Sequence, residues 1–316
     1  MKTLFTIIFI LTATQLGFAQ YTLTGQVLNG SQDSTAVADM PVLLAKMSPQ
    51  DNTPVILDTT QSAANGNYRF QFGDKNENAT YFTAADFAGV RYYSGLAEFT
   101  NSNAQVQLVV HDTTHSTANI STFMHHIIVD DMGESVHFRE THVLNNPGNA
   151  TITNVFEHPD AGPATFEFTL PSCAENVEPV SPQVPGELVA GSGSVIDKGV
   201  MPPGNRQVTF TYECRWEKNR INVTTTILRP TRSFDVFVAN PHVKVFSEQF
   251  QDLGNFNIRG HNYHRYGVRT PDTGMAVRFE LRRSSEHLQS PLPAIGLTAG
   301  LLALGLAASF VQRKKE

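Results

Sequence analysis

The sequence predicts an all-β protein in which two β-sandwich domains in tandem, residues 20–111 and 112–288, precede one C-terminal transmembrane helix. Short apolar runs with a period of two residues recur through both domains, which is the pattern of half-buried strands. Residues 21–111 contain no stretch of useful length with the helical period. The C-terminus carries a long apolar segment without charge, which is typical of a membrane span.

Residues 1–19 have the features of a secretory signal peptide. Lys2 precedes an apolar stretch at residues 4–11, and the small residues Gly17 and Ala19 lie three and one residues before the expected cleavage point. The stretch is too short to span a bilayer comfortably, so we expect cleavage after Ala19 rather than an uncleaved anchor. The domains that follow are then exported.

The first domain reads as a series of short strands. In residues 21–28 apolar side chains alternate with polar ones, and Tyr68, Phe70 and Phe72 share one face of another strand. Asn65-Gly66 lies between apolar runs and favours the positive φ angles that a tight hairpin requires. Further strands are expected at residues 40–44, 55–57, 81–85, 90–93 and 106–111.

Several short motifs of this domain resemble those of the carboxypeptidase regulatory-like domain. The motifs are Gly25-Gln26-Val27, Pro41-Val42-Leu43-Leu44, Thr60 and Asn65-Gly66-Asn67-Tyr68-Arg69-Phe70. The resemblance covers residues 21–111, less than a third of the chain. It implies a transthyretin-like sandwich of the carbohydrate-binding-like class that usually serves as a non-catalytic appendage, and it brings no catalytic residues with it.

The second domain is also expected to be a β-sandwich, because short strands recur with Gly and Pro between them. The expected strands are residues 120–129, 135–144, 166–170, 208–215, 221–228, 233–238, 243–246 and 276–281. Residues 171–205 carry six prolines and five glycines, so they read as a mobile loop, with a binding loop as the alternative. The whole arrangement resembles uncharacterised bacterial membrane-anchored proteins that pair a regulatory-like domain with a second β-domain.

The chain has two cysteines, Cys173 and Cys214. An even pair in an exported chain is most simply one disulfide, and the alternative is two buried thiols. A closed loop of about 42 residues would contribute roughly 4 kcal/mol on the chain-entropy model.

Residues 291–311 are expected to form a transmembrane helix, since twenty apolar residues at 1.5 Å each span about 30 Å. The basic tail, residues 312–316, is then cytoplasmic, and the protein is a single-pass protein of the cell (inner) membrane with its domains in the periplasm or cell exterior. Gly296 and Gly300 form a small-residue pattern through which two helices can pack.

The geometry of strands limits which histidines can share a metal ion. His125 and His126 are adjacent in a predicted strand and therefore point to opposite faces. Glu140 and His142 are two residues apart and share a face, but two ligands are fewer than zinc requires. Further ligands would have to come from Asp130, Asp131, His261 or His264, so we expect no metal and no cofactor.

Three aromatic residues are candidates for binding a sugar ring by stacking: Phe87, Tyr92 and Trp216. Aromatic residues in strands more often belong to the core. The net charge of −6 gives an acidic, solvated surface, which argues against a nucleic-acid partner.

The sequence therefore predicts a membrane-anchored, extracytoplasmic binding or scaffolding protein without catalytic activity or catalytic residues. Its partner is expected to be a protein or a membrane assembly. The first alternative is binding of carbohydrate or cell-wall glycan by the first sandwich. The second is a metal-assisted hydrolase that uses Glu140, His142 and another histidine.

Overall fold

A computed structural model describes residues 20–50, 53–73, 75–180, 187–258 and 260–284. The predicted signal peptide (1–19), transmembrane helix (291–311), tail (312–316) and helix-packing pair Gly296 and Gly300 lie outside these ranges. Within them, no helix is long and apolar enough to cross a membrane.

Every regular element of the described residues is a β-strand, which confirms the all-β prediction. In the first part of the chain the strands are β1 (Tyr21–Asn29), β2 (Thr35–Ala36), β3 (Pro41–Met47), β4 (Val55–Gln61), β5 (Asn67–Phe72), β6 (Thr80–Phe87), β7 (Val90–Tyr93) and β8 (Asn103–Val110). The remaining strands are β9 (Thr113–Thr114), β10 (Ser121–Asp131), β11 (Ser135–Asn146), β12 (Thr151–Ile152), β13 (Phe156–His158), β14 (Gly162–Ala164), β15 (Phe166–Thr169), β16 (Glu175–Pro179), β17 (Leu188–Ala190), β18 (Ser194–Asp197), β19 (Gly204–Arg215), β20 (Arg220–Thr226), β21 (Ser233–Val238), β22 (Val243–Phe246), β23 (Gln251–Ile258), β24 (His261–Arg269) and β25 (Ala276–Arg283).

The chain forms two compact units that divide between Asp112 and Thr113. The first unit contains two four-stranded sheets. In one, β1 pairs with β2, β5 and β8, and the other has the order β4-β3-β6-β7. The sheets face each other through Phe72 and Tyr81, whose rings stack at 5.3 Å. The Tyr68 hydroxyl also lies 2.9 Å from that of Thr83 on the facing sheet. The unit is therefore a β-sandwich.

The hairpin expected at Asn65-Gly66 is not present. Strand β4 pairs with β3 and strand β5 pairs with β1, so this turn carries the chain from one sheet to the other. Gly66 has a φ of +77°, and a Cβ there would lie 2.6 Å from the Val27 carbonyl oxygen. The turn therefore needs glycine for its backbone conformation and for its close contact with β1.

The second unit is built on a seven-stranded sheet of order β16-β19-β11-β10-β21-β24-β23. Its pairs are antiparallel, except that β10 and β21 are parallel. Two three-stranded sheets, β15-β18-β17 and β20-β25-β22, contribute to the same apolar core. Phe168 of β15 packs 5.9 Å from Phe210 of β19, and Phe250 bridges Phe234 of β21 and Phe279 of β25. This packing of sheets fits the predicted sandwich.

The segment predicted as a mobile loop, residues 171–205, contains strands β16, β17 and β18. Residues 181–186 of it lie outside the described ranges. Strand β16 extends the seven-stranded sheet, whereas β17 and β18 join β15. Val195 and Ile196 are buried in the core, so the described part of this segment is ordered by packing despite its prolines and glycines.

Candidate functional site

Three ionisable side chains meet on the core face of the seven-stranded sheet. His125 lies on β10, and Glu140 and His142 lie on its antiparallel neighbour β11. The register places His125 directly opposite His142, and Glu140 is two residues from His142 on the same strand. Since strand side chains alternate between faces, all three point to the same side. We call this group the His-Glu-His cluster.

Hydrogen bonds connect the cluster through a single carboxylate oxygen. The Nε2 atoms of His125 and His142 lie 2.7 and 2.9 Å from Oε1 of Glu140. The second oxygen, Oε2, accepts a hydrogen bond of 3.2 Å from the Tyr212 hydroxyl. A carboxylate only accepts, so both imidazoles carry a proton on Nε2. The three residues are 4, 1 and 6 % exposed, which makes this a buried polar network.

The charges of the cluster depend on burial and on mutual contact. Burial raises the pKa of Glu140, but the two histidines offset burial and leave that pKa lowered to about 2. Burial and the neighbouring His125 lower the pKa of His142 to about 3, against the opposing effect of Glu140. At neutral pH Glu140 is therefore ionised and His142 is neutral. Burial and the nearby carboxylate keep the pKa of Tyr212 well above its usual value, so its hydroxyl remains a donor.

A cavity of about 20 Å³ adjoins the cluster. Its other lining side chains include Thr122, Phe168, Thr225, Arg229 and Thr231. This volume accommodates about one water molecule. The Arg229 guanidinium lies 5.1 Å above the Phe168 ring and donates a hydrogen bond to the Glu167 carbonyl oxygen. An organic substrate does not fit in this cavity, whereas a water molecule or a single ion does.

The other residues considered as metal ligands do not join the cluster. Asp131 accepts hydrogen bonds from Trp216 and Asn240, and Asp130 lies beside it at the end of β10. His261 and His264, expected in a turn, lie on β24, and His264 contacts the Asp252 carboxylate at 2.6 Å. Strand β21 separates β24 from β10 in the sheet.

His125 was missing from the predicted ligand set. His125 and His126 lie on opposite faces, as predicted, since His126 contacts Asp235 on the other face at 3.3 Å. The pairing of β10 with β11 was not predicted from the sequence. A hairpin turn after Asp131 sets the register that brings His125 opposite His142, and such a turn was the available signal.

The three aromatic candidates are buried or half-buried. Tyr92 is buried, and its hydroxyl donates a 2.8 Å hydrogen bond to the His111 carbonyl oxygen; its role in sugar stacking stays a prediction. Phe87 is half-buried at the end of β6. Trp216, in the second unit, packs against the core, donates Nε1 to Asp131 and lies 4.9 Å below the Arg283 guanidinium.

Cys173 and Cys214 form the predicted disulfide. Their Cα atoms are 5.1 Å apart. Cys214 is on β19 and buried, whereas Cys173 lies just before β16. The bond therefore ties the start of the Pro- and Gly-rich segment to the central sheet.

The first unit exposes an aliphatic strand at a sheet edge. Strand β4 pairs only with β3 among the described residues, so its outer side is unpaired there. Val55, Ile56 and Leu57 on this strand are 45, 55 and 39 % exposed. We call this surface the β4 edge. Consecutive exposed aliphatic residues on an edge strand are unusual, because an unprotected edge pairs with other chains.

The first unit also has a polar groove of about 490 Å³. Its lining includes Gln26, Gln61, Arg69 and Gln105, which carry hydrogen-bonding groups at their tips. Tyr68 closes its base next to Gly25, where a Cβ atom would clash with the Tyr68 hydroxyl. The groove therefore has donors and acceptors without an exposed aromatic floor.

Comparisons with known proteins identify no family. No protein-family model matches the chain, and no curated protein matches it. Among solved structures, the major pilin SpaA of Corynebacterium diphtheriae is 10% identical with a TM-score of 0.23, over 65% of this chain and 61% of SpaA. The major pilin SpaD of the same organism is 9% identical with a TM-score of 0.21, over 84% of each chain. BcpA, the major pilin subunit of Bacillus cereus, is 8% identical with a TM-score of 0.19, over 86% of this chain and 98% of BcpA.

At TM-scores this low, the similarity to pilins establishes neither a shared family nor a shared function. The β-sandwich of the first unit is observed directly in its two facing sheets. The more specific resemblance to a carboxypeptidase regulatory-like domain stays a prediction.

Proposed function

We propose that this chain is a non-catalytic, membrane-anchored binding or scaffolding protein that works outside the cytoplasm. Its first unit binds a protein partner through the β4 edge. The observation that carries this proposal is the exposure of Val55, Ile56 and Leu57 on an unpaired edge strand. An extended segment of the partner adds to β4 by main-chain hydrogen bonds, and the aliphatic side chains contribute apolar contact area.

Two further features support the extracytoplasmic and non-catalytic parts of the proposal. A disulfide between Cys173 and Cys214 fits an oxidising compartment, as does the predicted signal peptide. The His-Glu-His cluster resembles catalytic machinery in composition, but the cavity beside it accommodates only about one water. The membrane anchor is the predicted helix at residues 291–311.

The proposal is tested by crosslinking in cells that express the full-length chain with a photoreactive residue at position 56. We expect one partner to be captured, and we expect Ile56→Lys to abolish its co-purification because a charge cannot be buried at the new strand interface. The matched control is Leu96→Lys, since Leu96 is also aliphatic, exposed and in the first unit.

Hydrogen exchange of the purified complex then identifies the mode of binding. Strand addition requires slower exchange of backbone amides in residues 55–61. Unchanged exchange there, or equal loss of the partner in both lysine variants, contradicts binding at the β4 edge. A captured second copy of the chain would show that the edge mediates self-association.

The polar groove favours one second candidate function, the binding of carbohydrate or cell-wall glycan. Side-chain amides and a guanidinium are suited to sugar hydroxyls. Binding to a glycan array should weaken in Arg69→Ala and Gln61→Ala and persist in Ile56→Lys. Undiminished glycan binding in both Arg69→Ala and Gln61→Ala would exclude the groove as the binding site.

A further inference from the structure

We propose that His125, Glu140 and His142 bind one Zn²⁺ ion between β10 and β11. This inference goes beyond the proposed function and is independent of it. It concerns what stabilises the centre of the second unit, whereas the β4 edge belongs to the first.

The donor set suits Zn²⁺. Two imidazole nitrogens and one carboxylate oxygen are ligands that Zn²⁺ accepts, and all three ligand atoms lie within 4.8 Å of one another. Among the described residues, no other group of three His, Cys, Asp or Glu side chains meets this condition. The ligands come from two neighbouring strands at the centre of a seven-stranded sheet, which holds their backbones in place.

The distances within the cluster are close to those between the ligand atoms of a zinc ion. Ligand atoms at about 2.0–2.1 Å from a tetrahedral ion are separated from each other by about 3.3 Å. The two nitrogen-to-oxygen distances in the cluster are 2.7 and 2.9 Å. Small side-chain rotations that lengthen these nitrogen-to-oxygen distances by about half an ångström therefore make room for the ion. Each Nε2 proton leaves for solvent or moves to Nδ1, so that the ring presents its Nε2 lone pair.

The surroundings supply the remaining parts of such a site. The Tyr212 hydroxyl holds the other oxygen of Glu140 and so orients the carboxylate, as outer hydrogen bonds do in metal sites. The adjoining cavity accommodates about one water, which completes four-fold coordination. Arg229 lines the same cavity, and its positive charge repels a divalent cation. The negative charge of the Glu140 carboxylate, which contacts the ion directly, offsets this repulsion.

Because the site is closed to larger molecules, its ion has a structural role. It would link β10 and β11 near the Thr122–Met124 irregularity, where their register shifts. Binding of an ion to the folded state alone raises stability in proportion to the logarithm of its concentration. Added Zn²⁺ should therefore raise the unfolding temperature, and a chelator should reverse the rise.

The experiment uses the full-length chain, stripped with a chelator and titrated with Zn²⁺ by calorimetry. We expect one equivalent per chain, together with a higher unfolding temperature. His125→Gln and His142→Gln should each lower the affinity by at least about 10-fold. His137→Gln is the control, because His137 lies on β11 with its side chain on the other face. Its affinity should equal that of the unsubstituted chain.

Failure to bind Zn²⁺, or equal affinity in both ligand variants and the control, would overturn the proposal. If a glutamine variant does not fold, the unsubstituted protein still provides a direct test. The ring ¹⁵N resonances of two histidines should shift on addition of Zn²⁺, and unshifted resonances count against the site. Crosslinking at position 56 is unaffected by either outcome, so the two proposals fail separately.

Discussion

The Arg206 guanidinium donates two hydrogen bonds to the Asp197 carboxylate, from Nη1 to Oδ2 at 2.6 Å and from Nη2 to Oδ1 at 2.9 Å. Asp197 is fully buried at the end of β18, and Oδ1 also accepts a hydrogen bond from the Gly199 backbone N–H. Burial raises the pKa of Asp197, although Arg206 acts in the opposite direction. The pair joins the Pro- and Gly-rich segment to the start of β19.

Replacing Arg206 with alanine should therefore destabilise the second unit strongly. It leaves a buried carboxylate without its partner, which typically costs about 3–5 kcal/mol. Arg206→Lys should recover little, because a lysine cannot form the two parallel hydrogen bonds. The free energy of unfolding from urea titration measures both effects. Glu187→Gln is the control, since Glu187 contacts the same guanidinium from a more exposed position; an equally large loss there would contradict this account.

Removal of the Cys173–Cys214 disulfide should lower the free energy of unfolding by about 4 kcal/mol. The bridge spans 41 residues in sequence and so restricts the unfolded chain considerably. The measurement is urea unfolding with and without a reducing agent. The Cys173→Ala, Cys214→Ala double variant should unfold identically in both conditions. A reducing agent that leaves the original chain equally stable would show that the bridge contributes nothing.

Asp235 should make the second unit sensitive to acid. Burial raises the pKa of this carboxyl, but contacts with His126 and Arg265 offset burial and leave the pKa lowered to about 2 from 3.8. A carboxyl with a lowered pKa stabilises the fold above its unfolded pKa, and that contribution is lost as the pH falls through the folded value. We expect a loss on the order of 2 kcal/mol between about pH 4 and pH 2.

The matching measurement compares unfolding of the original chain and Asp235→Asn across this pH range. The variant should be less stable at neutral pH because its interaction with Arg265 is weakened. Its stability should change less between pH 4 and 2. Asp160→Asn, which removes an exposed carboxylate, should leave the acid dependence unchanged. If the free energy of unfolding falls equally with pH in the unsubstituted chain and in Asp235→Asn, Asp235 is not the source of the acid sensitivity.

Tyr92 and Tyr93 are adjacent on β7 but differ in burial, at 5 and 57 % exposed. Tyr92→Phe removes the hydrogen bond to the His111 carbonyl and should cost about 1 kcal/mol. Tyr92→Ala also leaves a cavity and should cost about 3–5 kcal/mol. Tyr93→Ala should cost less than about 1 kcal/mol, because its side chain is mainly solvated. Thermal unfolding of the three variants tests this order, and a more damaging Tyr93→Ala would reverse it.

The sequence predicted the strands whose burial alternates. Strand β8 is the clearest case, since every second residue from Ala104 to Val110 is buried, and this is the periodicity on which the prediction depended. Strand β23 was missed because most of its residues are exposed on both faces, so no alternation is present to detect. Strands β16 to β18 were missed because proline and glycine interrupt their local pattern. They form through long-range pairing, of β16 with β19 and of β18 with β15.

The candidate site was predictable only in part. Glu140 and His142 share a face because of a local rule, the period of two residues. His125 joins them because β10 pairs with β11 in one particular register, and register depends on the turn and on the buried faces of both strands. The exposed β4 edge was not predictable at all, because residues 55–57 form an apolar run of the kind that usually lies in a core.

The parallel pairing of β1 with β8 has a mechanical consequence. Eight residue pairs, from Thr22 with Asn103 to Asn29 with Val110, align these strands in the same direction. The first unit therefore receives the chain at one end of this pair and releases it at the opposite end. A tensile force between residues 21 and 110 would load the hydrogen bonds of the pair together, in shear, instead of peeling them apart one at a time. Pulling on single molecules should consequently require a larger force from these two points than from the two ends of the β6–β7 hairpin.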